Sequence, residues 1–299
     1  MVRRKIRSLF RPELSGSSGA ADENSFLSAL KVLEKAIRQP PKSTEIELVD
    51  RQVGDEHVRG EWVSEPGANR NRVILYSHGG GYIWGAPEFY RELAWRLSKA
   101  CDARVFLLDY SLAPSAKCPA QINEGLAAYD MIREANPTAQ IAMSGDSAGG
   151  GLTTSLAIAI RDSGRPMPVA LALISPWLDL TGSGDSMKYN KNKDVMLKPE
   201  GIGLGAPMYH GELAANDPRC SPLFADHEGL PPMLLQVGSE EILLDDSRRM
   251  ASSVEKTGGK AVLRIWSKMH HVWHMSAAMV PEARRAIDEI ADFFEEKWL

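Results

Sequence analysis

The stretch "SGDSAGGG" at residues 144–151 contains the pattern Gly-x-Ser-x-Gly, centred on Ser147. It follows the strand-type segment "AQIAMSG" and precedes the helix-type segment "LTTSLAIAI". Small residues beside Ser147 allow a sharp strand-to-helix turn that exposes the Ser147 hydroxyl, and the N-terminus of the next helix favours negative charge nearby. The stretch therefore predicts a nucleophile at Ser147. A Gly- and Ser-rich helix N-cap is the alternative interpretation of the pattern.

A second glycine-rich stretch, "SHGGGYIWG" at residues 77–85, follows the apolar segment "VILYS". Three consecutive glycines are also typical of a flexible turn, because glycine is conformationally permissive. In the sharper interpretation, Gly80 and Gly81 present bare backbone N–H groups to a substrate carbonyl oxygen, and the Ala148 N–H completes an oxyanion hole. Two such motifs, in this order and each at the end of a strand, indicate acyl-transfer chemistry.

Apolar, β-rich segments alternate with helix-type segments from residue 44 onward. An opening hairpin is predicted from "IELV" and "VRGEWV", and the amphipathic segment "EARRAIDEIADFFEEKW" is predicted to form the last helix. Further helices are predicted near 88–100 and 120–135. Continuous apolar character indicates strands buried on both faces, as in an α/β fold with a mostly parallel central sheet flanked by helices. The predicted strands after the hairpin are 73–78, 104–110, 139–145, 169–175, 232–238 and 261–266.

Residues 177–220 interrupt this alternation, because they contain no strand-type segment and are rich in Gly, Lys, Asn and Met. Insertions of this length are usually functional lids or caps. We therefore predict a cap insertion at 177–220, joined by an N-terminal part of the cap at 1–40. The predicted catalytic domain comprises residues 41–176 and 221–299.

Composition and charge argue against several classes of partner. The net charge is −4 and acidic and basic residues are interspersed, so no nucleic-acid binding is expected. Neither a signal-peptide segment nor a membrane-length apolar run is visible, which predicts a cytoplasmic protein without stable membrane anchoring. An amphipathic interfacial helix is the alternative for the basic start "MVRRKIRSLFRPEL". Cys101, Cys118 and Cys220 lack CxxC spacing and are expected to be free thiols.

The motifs "HGGGY", "DYSLAP" (109–114) and "GDSAGG" resemble those of the hormone-sensitive lipase family, which includes the bacterial family IV esterases. The resemblance extends from about residue 40 to the end of the chain. It implies an α/β-hydrolase fold with a small helical cap, and hydrolysis of carboxylic esters by a Ser–acid–His triad without a cofactor. It also implies a structural role for His78, which would organise the oxyanion loop by hydrogen bonding. The remaining motif positions are Gly79, Gly145, Asp146 and Gly149.

The acid of the triad is expected after the strand that follows the cap, where "LLQVGSEEILLDD" (234–246) offers several carboxylates. Asp245 and Asp246 best fit solvated charges near a helix start. In the family the acid precedes a short Pro-Leu or Ile-Leu step, and "EIL" matches this step with Glu241. Relatives commonly have Asp there, so the longer Glu241 side chain must fold back to reach the imidazole. Glu240 is the alternative acid.

The stretch "SKMHHVWH" (267–274) contains three of the seven histidines of the chain. It follows the last predicted strand, where the chain order Ser, acid, His of this fold class requires the base. His271 occupies the position of the family's catalytic histidine and is predicted to be the base. His270 and His274 are four residues apart and could share a helix face as metal ligands. However, no Glu lies between them as in HExxH and no nearby Cys or Asp has ligand spacing, so we expect a structural role for both and no metal.

These features predict a serine carboxylesterase that hydrolyses short- to medium-chain esters of small molecules through an acyl-enzyme intermediate. The alternatives are an amidase or arylformamidase with the same triad, and a non-catalytic ligand-binding relative. Relatives often dimerise through an edge strand, here "AVLRIW", so a homodimer is one expectation. Aromatic and Met side chains are candidate pocket walls, although each could instead pack the cap against the core. These candidates are Tyr82, Trp84, Trp177, Met187, Met208 and Tyr209.

Overall fold

A single sheet of eight strands forms the centre of the computed structural model, which describes residues 2–10 and 38–298. The strands are β1 Glu45–Val53, β2 Glu56–Ser64, β3 Arg72–Ser77, β4 Arg104–Leu108, β5 Gln140–Asp146, β6 Leu171–Ile174, β7 Met233–Gly238 and β8 Ala261–Trp266. Their order across the sheet is β1-β2-β4-β3-β5-β6-β7-β8. The hairpin β1–β2 and the pair β2–β4 are antiparallel, and all other neighbours are parallel. The predicted opening hairpin and mostly parallel sheet are confirmed.

Helices alternate with these strands along the chain, as predicted. Within the described residues, no helix is both long and apolar enough to cross a membrane. The helices are α1 Val2–Phe10, α2 Arg91–Cys101, α3 Ala120–Ala135, α4 Ala148–Asp162, α5 Ser186–Tyr189, α6 Pro199–His210, α7 Leu244–Lys256 and α8 Pro281–Glu295.

Successive residues of the central strands contribute to two separate hydrophobic cores. In β3, Val73 and Leu75 pack in one core with side chains of α3, α4 and α7. Ile74 and Tyr76 pack in the other core with side chains of α2 and α8. Because successive side chains of a strand point to opposite faces, a strand covered on both faces is apolar throughout. The helices on both faces of the sheet therefore explain why polar and apolar residues do not alternate along the strand segments.

The turns that carry the predicted site residues follow the carboxyl ends of parallel strands. Gly80 and Gly81 follow β3, Ser147 follows β5, Glu241 follows β7 and His271 follows β8. Ligand sites of open α/β sheets lie outside the carboxyl ends of the strands, because neighbouring parallel strands end at the same edge. The topology therefore brings these turns, which are far apart in sequence, to one edge of the sheet.

The segment 177–220, predicted as the cap insertion, contains α5, α6 and no strand in the described structure. Its Tyr209 ring stacks on Tyr82 of the glycine-rich loop, with ring centroids 3.5 Å apart, so the segment packs against the site edge. Most of the predicted N-terminal part of the cap, at 1–40, lies outside the described residues. The division into cap and catalytic domain stays a prediction.

Candidate active site

Ser147 lies at the turn between β5 and α4 and has an unusual backbone conformation. Its φ of 53° and ψ of −122° fall outside the regions that L-residues prefer, and such strain persists only where the surroundings over-determine it. The Ser147 N–H donates to the Ile174 carbonyl oxygen at 2.9 Å. Gly149 is required by packing, because a Cβ atom there would lie 2.0 Å from the Ser77 carbonyl oxygen. Close packing of α4 on the sheet thus holds the strained turn.

Ser147, His271 and Glu241 form a continuous chain of hydrogen bonds. The Nε2 atom of His271 is 2.9 Å from Ser147 Oγ, and its Nδ1 atom is 2.7 Å from Glu241 Oε2. A carboxylate only accepts hydrogen bonds, so Nδ1 donates to it and Nε2 is left to accept from the Ser147 hydroxyl. His271 and Glu241 are both buried. Of the two adjacent glutamates, the structure thus brings Glu241 to the imidazole, in an arrangement that can accept the hydroxyl proton.

The second carboxylate oxygen of Glu241 is held by two further donors. Oε1 accepts from the Gly238 N–H at 2.6 Å and from the Ser175 hydroxyl at 2.8 Å. The Ser175 hydroxyl also accepts from the Val272 N–H at 3.2 Å. Ser175 therefore links the acid turn to the base turn. Sequence reasoning missed it because its two partners lie 66 and 97 residues away and no local motif marks it.

The glycine-rich loop after β3 has backbone conformations that favour glycine. Gly80 has a φ of 119° and Gly81 a φ of 64°. A Cβ atom at Gly80 would also lie 1.9 Å from the Trp84 carbonyl oxygen. Among the described residues, none accepts a hydrogen bond from the N–H of Gly80 or Gly81. These N–H groups, with that of Ala148 at the start of α4, are available to a substrate oxygen.

Asp146, the residue before Ser147, anchors this loop. Its Oδ1 atom accepts from the Gly79 N–H at 2.9 Å and from the Tyr76 hydroxyl at 2.8 Å, and Oδ2 accepts from the Tyr90 hydroxyl at 3.3 Å. Burial raises the pKa of Asp146 to about 6, although these hydrogen bonds lower it. One side chain of the Gly-x-Ser-x-Gly motif thus holds the glycine-rich loop in place.

His78 is buried in the same loop. Its Nδ1 atom is 2.7 Å from the Gly79 carbonyl oxygen, and its ring stacks on Tyr110 with centroids 4.3 Å apart. The Tyr110 hydroxyl donates to the His78 carbonyl oxygen at 2.7 Å. Burial lowers the pKa of His78 to about 4, against the opposing effect of its bond to Gly79, so the ring is neutral at pH 7. These contacts restrain the loop, and the structural role that the family resemblance implies for His78 stays a prediction.

The sequence and the structure of this chain are similar to those of known proteins. A family model described as the alpha/beta hydrolase fold matches residues 74–275, a range that includes Ser147, Glu241 and His271. The crystal structure of an esterase from the bacterial hormone-sensitive lipase family matches with a TM-score of 0.87 and 33% sequence identity, covering 99% of this chain and 97% of that chain. The chain belongs to the hormone-sensitive lipase family of α/β-hydrolases.

Other similar proteins agree on the class of reaction. An acetyl-hydrolase of Streptomyces hygroscopicus is 40% identical over 242 residues, which are 80% of this chain and 79% of the relative. An esterase of Acinetobacter venetianus is 34% identical over 265 residues, 88% of this chain and 86% of the relative. The crystal structure of EstE5 soaked with p-nitrophenyl butyrate has a TM-score of 0.90 at 36% identity, covering 99% of this chain and 97% of that chain. This member of the hormone-sensitive lipase family is an ester hydrolase.

In this esterase, three buried carboxylates act on His271. Burial lowers the pKa of His271, but the hydrogen bond and charge of Glu241 raise it, and the charges of Asp194 and Asp146 raise it further. The net shift is upward from the ordinary value of 6.5. These carboxylates therefore stabilise the protonated form of His271 relative to the neutral imidazole.

The two neighbouring histidines have different surroundings from His271. The Nε2 atom of His274 is 2.7 Å from Oε1 of Gln236, and burial together with the charge of His270 lowers the pKa of His274 to about 3. His270 is also buried. In residues 2–10 and 38–298, no group of three or more His, Cys, Asp or Glu side chains could hold a metal ion. Three histidines that looked alike in sequence are thus distinct in structure.

The expectation that Asp246 is a solvated charge is wrong. Its side chain is fully buried, and Oδ2 accepts hydrogen bonds from the Leu178 N–H at 2.9 Å and the Asp179 N–H at 3.1 Å. Burial raises the pKa of Asp246 to about 8, although these N–H groups lower it. The carboxyl group is buried because the segment that begins after Trp177 runs across the first turn of α7 and needs an acceptor for its N–H groups.

Three of the predicted pocket residues lie at the contact between segment 177–220 and the glycine-rich loop. Tyr82 stacks on Tyr209, and its ring lies 5.9 Å from that of Trp177. All three side chains are buried, so they pack the segment against the loop. Whether any of the predicted residues contacts substrate stays a prediction. The other candidates are Trp84 and Met208, which are half-buried, and Met187, which is buried.

Gly205 of α6 is a further residue at this contact, and sequence reasoning missed it. A Cβ atom at Gly205 would lie 3.8 Å from the Gly81 carbonyl oxygen and 3.9 Å from the Trp177 ring. A Cβ atom at Gly203, on the same helix, would have no atom within 4 Å. Gly205 therefore faces the glycine-rich loop, and a side chain there would extend toward Gly81 and Trp177.

Proposed function

We propose that this esterase hydrolyses short- to medium-chain carboxylic esters with a Ser147–His271–Glu241 triad and an acyl-enzyme intermediate. One observation carries the proposal: hydrogen bonds run from Ser147 Oγ to His271 Nε2 at 2.9 Å and from His271 Nδ1 to Glu241 Oε2 at 2.7 Å. A nucleophile, a base and a group that orients the base are the minimum set for nucleophilic acyl transfer.

In the first step, His271 Nε2 takes the Ser147 proton while Oγ attacks the ester carbonyl carbon. The carbonyl oxygen becomes an oxyanion, which accepts hydrogen bonds from the N–H groups of Gly80, Gly81 and Ala148. Donors that are already oriented cost no reorganisation during the reaction, and loss of one typically costs about 3 kcal/mol in the transition state. The stiffness that Asp146 and His78 give the loop supports this role.

In the second step, His271 gives its proton to the leaving alcohol and the acyl group stays on Ser147. Water then attacks the acyl carbon with His271 again as the base. The bond between Ser147 Oγ and the acyl group breaks, His271 returns the proton to Oγ, and the acid product leaves. Glu241 keeps the imidazole in the tautomer that bears its proton on Nδ1 and stabilises the imidazolium in both steps. The upward shift of the His271 pKa supports this assignment.

The preference for shorter acyl chains is supported by similar proteins. One relative is an acetyl-hydrolase, and EstE5 was soaked with p-nitrophenyl butyrate. We propose that segment 177–220 forms the cap of the acyl site and that residues at its contact with the glycine-rich loop, including Trp177 and Tyr82, line that site. Aromatic side chains are typical of small-molecule pockets.

Two further proposals concern assembly and location. A homodimer through β8 is supported by the position of this strand at the edge of the sheet and by Ile265, which is 41% exposed there. Sedimentation velocity tests the homodimer, and a monomer at micromolar concentration would contradict it.

A cytoplasmic location is supported by the three buried free thiols, which suit a reducing compartment.

The triad is tested with Ser147→Ala and a panel of p-nitrophenyl esters from acetate to decanoate, with an anilide as the amide control. We expect hydrolysis near background in Ser147→Ala, activity that falls at long acyl chains in the wild type, and little anilide cleavage. The matched control is Ser163→Ala, which removes an exposed hydroxyl at the end of α4 and keeps full activity. Wild-type turnover in Ser147→Ala would refute the triad, and faster anilide than ester cleavage would favour an amidase.

A further inference from the structure

Two side chains of segment 177–220 hold the peptide group that follows Glu241. The Asn190 Nδ2 atom donates to the Glu241 carbonyl oxygen at 2.9 Å. The Asp194 Oδ2 atom accepts from the Ile242 N–H, also at 2.9 Å. This carbonyl and this N–H belong to one rigid peptide plane. The orientation of the plane is therefore held from both of its polar edges by side chains from another segment.

The two holding side chains are themselves well ordered by local hydrogen bonds. The Asp194 N–H donates to the Asn190 carbonyl oxygen at 2.9 Å, which joins them in one turn. Asp194 Oδ1 accepts from the N–H groups of Met196 and Leu197, each at 2.9 Å. Asn190 and Asp194 are 1% and 3% exposed, so water does not compete for these bonds.

The acid of this triad has a special need for such support. Glutamate has one more rotatable bond than aspartate, and ordering a side chain of this type costs up to about 2 kcal/mol. A misplacement of about 1 Å at a reacting group can cost about a hundredfold in rate. Ser175 and Gly238 hold the carboxylate end of Glu241, and the contacts of Asn190 and Asp194 hold its backbone end.

We propose that Asn190 and Asp194 are positioning residues of the reaction, which hold the Glu241–Ile242 peptide so that the Glu241 carboxylate stays against His271. The predicted cap thereby completes the triad instead of only covering it. This inference rests on the triad proposed above and extends it to a second segment of the chain.

Charge adds to the effect of Asp194. The groups that act on the His271 charge are Glu241, Asp194 and Asp146, and each raises the pKa of His271. Burial and the charge of Glu241 raise the pKa of Asp194 itself, whereas the charge of His271 and the N–H groups of Met196 and Ile242 lower it. A neutral residue at 194 should therefore favour the neutral imidazole, and the loss of activity at low pH should begin at a lower pH.

The test compares Asp194→Asn and Asn190→Ala with the control Asp217→Asn. Asp217 lies in the same segment. Like Asp194, it accepts a hydrogen bond from the backbone N–H two residues later, which is that of Arg219 at 3.0 Å.

The measurements are kcat and KM for p-nitrophenyl acetate from pH 5 to 9, the melting temperature, and the fraction labelled by a serine-directed phosphonate. We expect kcat to fall about tenfold or more in both variants with KM nearly unchanged, because orientation acts on the transition state. We also expect the acid limb of Asp194→Asn to move to lower pH, and the control to match the wild type.

The inference is overturned if both variants keep the wild-type kcat. It is also overturned if their activity falls only in proportion to the fraction of protein that the phosphonate labels, and the acid limb of Asp194→Asn does not move. Failure of the triad itself looks different, because Ser147→Ala or His271→Ala would then stay active. If those two variants are inactive and Asp194→Asn and Asn190→Ala behave as wild type, the triad stands and the positioning role is refuted.

Discussion

The Ser175 hydroxyl donates to Oε1 of Glu241 at 2.8 Å, and the same hydroxyl accepts from the backbone of the base turn, at the Val272 N–H. Ser175 has a φ of 46°, a conformation that costs energy in a residue with a side chain. It is fully buried directly after β6, the strand that lies next to β7 in the sheet. A strained residue that bonds both turns is well placed to keep the distance between Glu241 and His271 constant.

We expect Ser175→Ala to lower kcat by about tenfold with little change in KM, because the Glu241 carboxylate loses a fixed donor and gains freedom to rotate. The measurement is steady-state hydrolysis of p-nitrophenyl acetate beside a thermal melt. Ser144→Ala is the matched control, since Ser144 is also buried and donates to the Ala172 carbonyl oxygen at 2.8 Å, away from the acid. Equal kcat losses in the two variants would mean that Ser175 supports only the fold.

Single alanine substitutions at the three clustered histidines should give unequal results. His271→Ala removes the base and should reduce hydrolysis to near background. His270→Ala should keep most of the activity. His274→Ala leaves the buried Gln236 oxygen without its donor, which should cost about 1–3 kcal/mol of stability while kcat per folded molecule is kept. Activity assays and melts of the three variants check this.

Treatment with a chelator tests whether His270, His271 and His274 bind a metal ion. EDTA should leave the activity unchanged, because the His274 Nε2 atom is engaged with Gln236 and His271 bonds Ser147 and Glu241. Strong inhibition by EDTA, or equal losses of activity at all three histidines, would restore the metal-site interpretation.

The pH profile of kcat/KM should have an acid limb above 6.5. His271 must be neutral to act as a base, and its pKa in the folded protein is raised above the ordinary value of 6.5. Activity is therefore present above the raised pKa and is lost as the pH falls through it. Rates from pH 5 to 9 with p-nitrophenyl acetate check this, and an apparent acid pKa below 6.5 would contradict the arrangement of carboxylates described above.

A large side chain at residue 205 should shorten the range of acyl chains that the enzyme accepts. Gly205→Leu would project toward Gly81 and Trp177, so hydrolysis of p-nitrophenyl decanoate should fall at least about tenfold more than that of the acetate, since a few lost contacts are worth about 1–3 kcal/mol. The control is Gly203→Leu, on the same helix but with open space around its Cβ. The same change of chain preference in both variants would show an effect of the helix rather than of the site.

The elements that frame the site could be predicted because their signals are local. The helix α3 and the strand β8 have the predicted bounds, at Ala120–Ala135 and Ala261–Trp266. Apolar periodicity and runs of β-branched residues depend on neighbours a few positions apart, so one sequence window contains the whole signal. The same holds for the turn at Ser147, where small residues, a preceding strand and a following helix are all adjacent.

The residue pattern therefore predicts the mostly parallel α/β sheet and the turn at Ser147, and the family resemblance adds the α/β-hydrolase fold and the positions of Glu241 and His271. Parallel strands bring the turns that carry them to one edge of the sheet. The support of Glu241 was decided only in three dimensions. Ser175 lies 66 residues before it, and the contact between Asp194 and Ile242 spans 48 residues. Buried donors and acceptors form hydrogen bonds with whichever segment packs against them. The partner therefore cannot be predicted from the residues that are near in sequence. Asp246 was misjudged for this reason, since its hydrogen bonds to the backbone at Leu178 span 68 residues.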